Sequence, residues 1–367
     1  MASRKHSRSS GRARAGRSGR ASGRAREGRL DRARLERILD RFADIELLVL
    51  GDVVLDEYLW GDVERVSPEA PVPVVHLRDE STVLGGAGNV VRNVVALGGR
   101  CRFCSVVGDD PAGARVLDLL KALGVETDGT VVLSGRPTTR KSRVVARSQQ
   151  IVRFDRETTE PIPPGAVRSL LSALDAALPS ADAVVLEDYA KGLLTRGTIA
   201  KVMKRTGAAR VPVAIDPKHD LASYRGASLL KPNLRETEAL TGIAIRGSDE
   251  LARAVAKLRQ RVGPADVVVT RGSEGMTCFA AGEARGRDVH TLAREVFDVQ
   301  GAGDTTIAAL ELARAAGASL LEAAVVANAA AGVVVGKIGT ATASRDEIRE
   351  LLPAAIAAAR DGARGER

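Results

Sequence analysis

Short apolar runs separated by stretches of helical periodicity constrain this chain more than any other feature. Ile45-Glu46-Leu47-Leu48-Val49-Leu50 reads as a buried strand that stops at Gly51-Asp52, and comparable runs follow at Ala183–Leu186, Val211–Ile215 and Val267–Thr270. Ahead of the first run, Leu30, Leu35, Ile38, Leu39 and Phe42 recur at helical spacing and predict an amphipathic helix. Strands that alternate with helices form a parallel sheet, because each helical crossover returns the chain to the same edge and covers one face. The expected fold class is therefore α/β, a doubly wound, mostly parallel sheet with helices on both faces. Such sheets bind ligands beyond the carboxyl ends of their strands. Asp52 and Asp56, Asp188, Asp216 and Lys218, and Arg271-Gly272 all follow apolar runs in this way.

With 367 residues, 44% of them hydrophobic, the chain is long enough for a large core, and at 2% aromatic content that core must be built from Val, Leu, Ile and Ala. The net charge of +9 invites a nucleic-acid partner, but residues 1–28 hold nine Lys/Arg against one Glu, which leaves the remainder near neutral. That tail has no large apolar residue between Met1 and Leu30, so it cannot offset the entropy of ordering and is expected to be disordered. It lacks both the apolar face of a transit peptide and the apolar segment of a secretory signal. A solvated tail is one reading; weak contact with RNA or an anionic surface is the other. No stretch is long and apolar enough to span a bilayer, and no membrane insertion is expected. Cys101, Cys104 and Cys278 are too sparse for a disulfide framework, and Cys101-Arg102-Phe103-Cys104 has no second pair to complete a metal site. A cytoplasmic protein is expected.

Two segments break the alternation. Ser67-Pro68-Glu69-Ala70-Pro71-Val72-Pro73-Val74-Val75 has too many prolines for a helix or a central strand, and Thr138–Asp155 alternates as a charged ribbon. Together they predict a small β lid at about residues 57–82 and 137–156, with an ordinary solvated hairpin as the alternative. Nearer the carboxyl end, Phe297-Asp298-Val299-Gln300-Gly301-Ala302-Gly303-Asp304-Thr305 brackets a tight turn with glycines, ahead of a helix predicted from about Thr305 to Ala316. Backbone N–H groups from Gly301 to Gly303, at the positive end of a helix, suit a transferring phosphate, and Asp304 suits proton removal from a hydroxyl. The alternative is a glycine-rich strand-to-helix turn with an Asp N-cap.

Leu84-Gly85-Gly86-Ala87-Gly88-Asn89-Val90 resembles the first signature of the ribokinase-like (PfkB) sugar kinases, and Asp298–Thr305 resembles their second, with Asn233-Leu234-Arg235-Glu236 between. The likeness runs from about residue 45 to 345. It implies a ribokinase-like kinase domain at 29–358 with a small β-sheet lid and short tails at 1–28 and 359–367, ATP-dependent phosphoryl transfer to an alcohol, and Asp304 as catalytic base. The branch most similar is the D-glycero-β-D-manno-heptose 7-phosphate kinases, through Gly51–Tyr58, Gly61–Val74, Arg147–Gln150, Asp188–Gly192, Asp216–Lys218 and Val335–Thr340. That branch phosphorylates the anomeric C1 hydroxyl to the 1,7-bisphosphate for ADP-heptose, a lipopolysaccharide core precursor. A related kinase for another sugar phosphate or a nucleoside, and an inactive relative that binds RNA or a surface through its tail, are the alternatives.

Carried onto this sequence, the resemblance implies Asn233 and Glu236 for Mg²⁺ and its waters, Thr270, Arg271, Gly272 and Gly275 at the ribose of ATP, and Asn328 and Gly332 at the adenine. Asp52, Asp56, Gly85, Gly86 and Asn89 would meet sugar hydroxyls, and Lys141, Arg143, Arg147, Lys191 and Lys218 would clamp the phosphate that the substrate already carries. Plainer readings stand beside these: a helix start with an acid in its first turn, a strand-end cap, a glycine turn, and solvated surface charges. Asp298 is expected near a K⁺ site, where Gln300 replaces the Thr or Ser of many relatives, and Glu187 replaces a small polar residue before Asp188. Some family members carry a second, nucleotidyltransferase domain with a His-rich motif. Here the histidines are His6, His76, His219 and His290, so a stand-alone kinase is expected, as a homodimer through the lid.

Overall fold

The computed structural model describes residues 30–146, 149–218, 221–292, 298–337 and 339–362; the basic tail at 1–28, Arg147, Phe297 and residues 363–367 lie outside the described residues. The first half of the chain runs α1 (Arg32–Asp40), β1 (Glu46–Gly51), β2 (Val53–Val66), β3 (Pro73–Gly86), α2 (Ala87–Ala96), β4 (Arg100–Gly108), α3 (Pro111–Ala122), β5 (Thr130–Leu133), β6 (Arg140–Ala146) and β7 (Gln149–Arg156). There follow α4 (Pro164–Ala177), β8 (Ala183–Glu187), α5 (Arg196–Ala209), β9 (Val213–Asp216), β10 (Leu229–Leu230), α6 (Leu234–Thr241) and α7 (Ser248–Val262). The last part comprises β11 (Asp266–Thr270), β12 (Met276–Phe279), β13 (Arg287–Val289), α8 (Ala302–Ala315), α9 (Leu320–Val335) and α10 (Arg345–Gly362).

Among the described residues the strands form two sheets. The larger has the order β13-β12-β11-β10-β9-β8-β1-β4-β5, parallel from β5 to β11 and antiparallel at its β12 and β13 edge. Alternate residues of a strand face opposite sides, and β1 shows the result. Leu47 and Val49 enter one core with α1, α2, α3, α8, α9 and α10, while Leu48 and Leu50 enter the other with α4, α5 and α7. Helix α8 is buried from Asp304 to Ala313, as befits a helix enclosed between a sheet and other helices. It begins at Ala302 and not at Thr305, a correction to the predicted start.

The smaller sheet, β3-β2-β6-β7, is the lid. It grows from the carboxyl edge of the main sheet, since only Asp52 separates β1 from β2, and its first residues Val53–Asp56 are buried at that junction. Pro73 opens β3, an edge strand, where its missing N–H costs no ladder bond, and Pro68 and Pro71 fall in the connection before it. The ribbon predicted over Thr138–Asp155 is the antiparallel pair β6 and β7, and β7 is exposed throughout. Among the described residues no helix is long and apolar enough to cross a membrane. Cys101 and Cys104 lie on β4, where burial pushes both thiols up.

Candidate active site

Asp304 is the third residue of α8. Its helix starts on Gly301, whose φ of 75° is left-handed and where a Cβ would stand 2.5 Å from Asn89 Nδ2; both conditions select glycine. The turn delivers the carboxylate to two donors: Asn89 Nδ2 donates to one oxygen at 2.8 Å, and the Tyr189 hydroxyl donates to the other at 2.9 Å. Asp304 is therefore no N-cap, because its side chain leaves the helix instead of folding back onto it. The first-turn amides of Gly303 and Asp304 have no acceptor within the helix. The Ala302 amide donates to the Val299 carbonyl at 3.3 Å, so one of the three predicted anion-hole donors is engaged.

Burial pushes the Asp304 carboxyl up to about 6; the bonds from Asn89 and Tyr189 and the Lys231 cation pull it down, while Asp216 pushes it up. Glu187 and Asp216 are register partners at the ends of β8 and β9, and Lys231 donates to Asp216 Oδ2 at 2.8 Å. A Cβ on Gly303 would lie 3.6 Å from Lys231 Nζ, which puts this buried cation close beneath the glycine turn. Burial opposes the Lys231 charge, but the Asp216 and Glu187 carboxylates more than offset it and hold its pKa above the ordinary value. Glu187 Oε2 and Asp216 Oδ1 are buried without a hydrogen-bond partner. Burial first, then the Asp216 and Asp304 carboxylates, raise Glu187 well above the usual range. Sequence reasoning missed Lys231, whose only signal was its place just before Pro232-Asn233 at a strand end.

A cavity of about 220 Å³ lies against Asp304 and Gly301, lined also by Asp56, Gly85, Gly86 and, from the lid, Lys141, Arg143 and Arg153. Arg143 is buried; its Nη1 donates to Asp56 Oδ1 at 2.6 Å, its guanidinium lies 5.3 Å from the Tyr58 ring centroid, and its Nε has no partner. Arg153, across the β6–β7 ladder from Arg143, was not foreseen. Gly85 is required by close approach, since a Cβ would meet Asp56 Oδ2 at 2.0 Å. The Tyr58 hydroxyl donates to Gln300 Oε1 at 3.1 Å and lies 3.2 Å from Thr340 Oγ1, tying the lid to the glycine turn.

Four predicted sugar or phosphate ligands are engaged away from the cavity, Asn89 through its amide on Asp304. Asp52 turns away from the cavity and accepts the N–H groups of Tyr189, Lys191 and Leu193 at 3.1, 3.1 and 3.4 Å. Lys191 pairs with Glu157 at 2.7 Å, and Lys218 pairs with Glu236. Arg147 lies outside the described residues. Of the five predicted cations, the structure brings Lys141 and Arg143 to the cavity.

The predicted nucleotide residues gather beyond β10 and β11. Asn233 and Glu236 close a capping box at the start of α6: Glu236 N–H donates to Asn233 Oδ1 at 2.9 Å and Asn233 N–H to Glu236 Oε2 at 2.8 Å. Thr270 N–H donates to the Pro232 carbonyl at 3.0 Å, which brings the Thr270–Gly275 turn beside that box. Arg271 is held by Glu274 and by Asp288 at 3.2 Å, and Gly272 and Gly275 have φ of 60° and 92°. Asn328, buried on α9, donates to the His290 carbonyl at 2.8 Å, and Gly332 packs one turn further along against Leu292. Asp298 Oδ1 accepts the Gln300 N–H at 2.9 Å.

Over residues 44–347 the sequence matches the pfkB family of carbohydrate kinases. The chain belongs to that family. It is accordingly a phosphotransferase with an alcohol acceptor, on a ribokinase-like fold. It is 46% identical over 319 residues to the bifunctional protein HldE of Pelobacter propionicus, covering 87% of this chain and 65% of that protein. It is 45% identical over 321 residues to the HldE of Geobacter sulfurreducens, with the same shares. The chain thus spans just under two thirds of the length of these relatives. Among solved structures, Arabidopsis thaliana ribokinase with ribose and ATP superposes with a TM-score of 0.67 at 23% identity, covering 84% of this chain and 98% of that one. Escherichia coli phosphofructokinase-2 with potassium gives 0.69 at 19% identity and the same coverage. At such identities the likeness is one of fold.

Proposed function

We propose that this pfkB-family protein transfers the γ-phosphoryl group of ATP to the anomeric C1 hydroxyl of D-glycero-β-D-manno-heptose 7-phosphate, giving the 1,7-bisphosphate and ADP on the way to a nucleotide-activated heptose. The observation that carries this is Asp304, a buried carboxylate at the first turn of α8 whose cavity is lined from the lid by Lys141, Arg143 and Arg153. A hydroxyl seated against Asp304 gives up its proton to the carboxylate as its oxygen attacks the γ-phosphorus. The bond from that phosphorus to the β,γ-bridging oxygen breaks, and ADP leaves. Charge on the transferring group meets the first-turn amides of α8, the positive end of the helix and Lys231. The lid cations face the far phosphate of the sugar, with Arg143 Nε as a donor awaiting a partner. Support for the heptose comes from the 46% and 45% identity to two HldE proteins and from the likeness of Gly51–Val74 and Asp188–Gly192 to the heptose kinases.

Magnesium suits this donor set through water. Glu236 already accepts from Asn233 and pairs with Lys218, and among the described residues no three His, Cys, Asp or Glu side chains converge on a metal. Magnesium ordinarily takes most of its ligands from phosphate and water, so Asn233 and Glu236 would hold it at one remove, where it neutralises phosphate charge. Asp298, with one oxygen on the Gln300 amide, is our candidate beside a potassium ion. A homodimer through the lid and a cytoplasmic setting belong to the same reading.

ATP consumption by the purified protein against a panel of sugar phosphates and nucleosides tests the substrate, and the heptose 7-phosphate should give the highest kcat/KM. Preference for another acceptor overturns the heptose. Absence of turnover, alongside RNA binding that depends on residues 1–28, overturns the catalytic reading itself.

A further inference from the structure

We propose that Tyr189 is a positioning residue for the base, its hydroxyl fixing the orientation of the Asp304 carboxylate, and that the loop at 188–193 is built to hold it there. The proposal rests on Asp304 as base. Among the described residues, Ala190 and Arg210 have positive φ without being glycine. Arg210 caps the end of α5, a usual place for that conformation. Ala190, with φ of 56°, ends no helix, and it directly follows Tyr189. A left-handed residue with a Cβ persists only where its surroundings over-determine it.

Here they do. Asp52, the residue between the main sheet and the lid, accepts the amides of Tyr189, Lys191 and Leu193, so that one carboxylate gathers alternate N–H groups of the loop. Asp188 Oδ1 accepts the Ala190 N–H at 2.8 Å, and the Tyr224 hydroxyl donates to Asp188 Oδ2 at 3.3 Å. Arg136 donates to the Lys191 carbonyl and, at 2.9 Å, to that of Glu160. Gly192 turns at φ of 86° with a would-be Cβ 2.1 Å from the Glu160 carbonyl. Everything in the loop is anchored, and its one side chain at the cavity with a hydroxyl ends on the base. The Tyr189 ring passes over Gly86, where a Cβ would lie 3.5 Å from Tyr189 Cδ2.

Facing Asp304 are Asn89 from α2, Glu187 and Tyr189 from the end of β8, Asp216 from β9 and Lys231 from the end of β10. Asn89 and Tyr189 bond its oxygens. Burial, then the carboxylates of Asp304 and Glu187, hold the Tyr189 phenol well above its usual range, so it stays a donor throughout the working pH. Its bond favours the ionised base, and its loss raises the pH at which Asp304 accepts a proton.

The test compares wild type, Tyr189→Phe and Asp304→Asn in the heptose 7-phosphate and ATP assay, with a substrate-free readout beside it. In Tyr189→Phe the acid limb of kcat/KM should move up by about one pH unit, the order of a hydrogen bond to a charged group. The KM for ATP should hold. The readout without substrate is ¹³C-carboxyl NMR of aspartate-labelled protein, the Asp304 signal being identified by its loss in Asp304→Asn; its midpoint should rise by the same amount in Tyr189→Phe. If Asp304→Asn still turns over, the base assignment fails, and the NMR shift alone decides whether Tyr189 governs the carboxylate. If Asp304→Asn is dead while the Tyr189→Phe limb and midpoint coincide with wild type, the base stands and the positioning inference is overturned.

Discussion

Asp304 must be dry enough to exclude water from phosphoryl transfer and ionised enough to take a proton. Burial serves the first requirement and works against the second; the two hydrogen bonds and Lys231 recover part of the loss, leaving the carboxyl at about 6. Below that pH the carboxyl keeps its proton and cannot accept another, so kcat/KM should fall about tenfold per pH unit on the acid side of a limb near 6 and be flat just above it. A limb near 4 in the pH profile would exclude Asp304 as the titrating base. Asp304→Asn should abolish turnover while calorimetry still records ATP binding; near-normal turnover would refute its role. Glu187 makes a separate prediction. Its folded carboxyl titrates well above the 4.5 of the free side chain, so folding takes up a proton, and the stability tied to that proton is present below 4.5 and is lost as pH rises through the folded value. Glu187→Gln should therefore stabilise the protein at pH 8, by about 1 kcal/mol or more, and bring no gain near pH 4. Equal denaturant midpoints at pH 8 would show that Glu187 is not a buried, unpartnered acid. The bond of Asn89 to Asp304 was not legible in the sequence, where the resemblance gave Asn89 to the sugar; as candidates, Asp304, Asn89 and the glycines around them were legible because each belongs to a contiguous run of distinctive residues. Tyr189, Lys231 and Arg153 were not, because what makes them matter is a neighbour far away in the chain.

At the level of elements, the start of α8 shows where local preference misled. Gly301 and Gly303 are poor helix formers, which placed the predicted start at Thr305. In the structure Gly301 stays outside the helix as its left-handed cap, and the helix opens at Ala302, two residues ahead of the run that is buried from Asp304 on. Gly301→Ala imposes a Cβ on a left-handed residue and drives it into Asn89 Nδ2. We expect a cost of about 1–2 kcal/mol in a denaturant melt, and a fall in kcat of about 100-fold as Asn89 is displaced from the base. Unchanged kcat would mean that Asn89 is dispensable to Asp304. Helix α6 gives a contrasting case. Asn233→Ala removes one half of the capping box and should cost about 1 kcal/mol. If Asn233 served the nucleotide alone, the melt would not move.

At the scale of the molecule, the lid and its connections carry most of the exposed large apolar side chains among the described residues. Val66, Val72 and Leu77 on its β2–β3 side and Val152 and Phe154 on β7 are each about half exposed or more, and β3 and β7 are edge strands. Apolar side chains on unpaired edges suit a second copy of the same sheet. Sedimentation should give a dimer, with Val152→Asp combined with Phe154→Asp shifting it to monomer. A monomeric wild type would count against the lid as the interface.

The layered α/β class, the strands that end in charged residues, the lid and the Gly301-Ala302-Gly303-Asp304 turn could all be inferred from the chain alone. Hydrophobic period, proline placement and glycine spacing act over a few residues and leave a local trace. Less legible was where the charged groups read as substrate ligands, Asp52, Lys191 and Lys218, would find their partners. In the folded chain their partners are the Tyr189–Leu193 amides, Glu157 and Glu236. A charge in a partly dry site is captured by whichever opposite group lies nearest, and that distance is set by how the strands stack. No local pattern in the sequence records it.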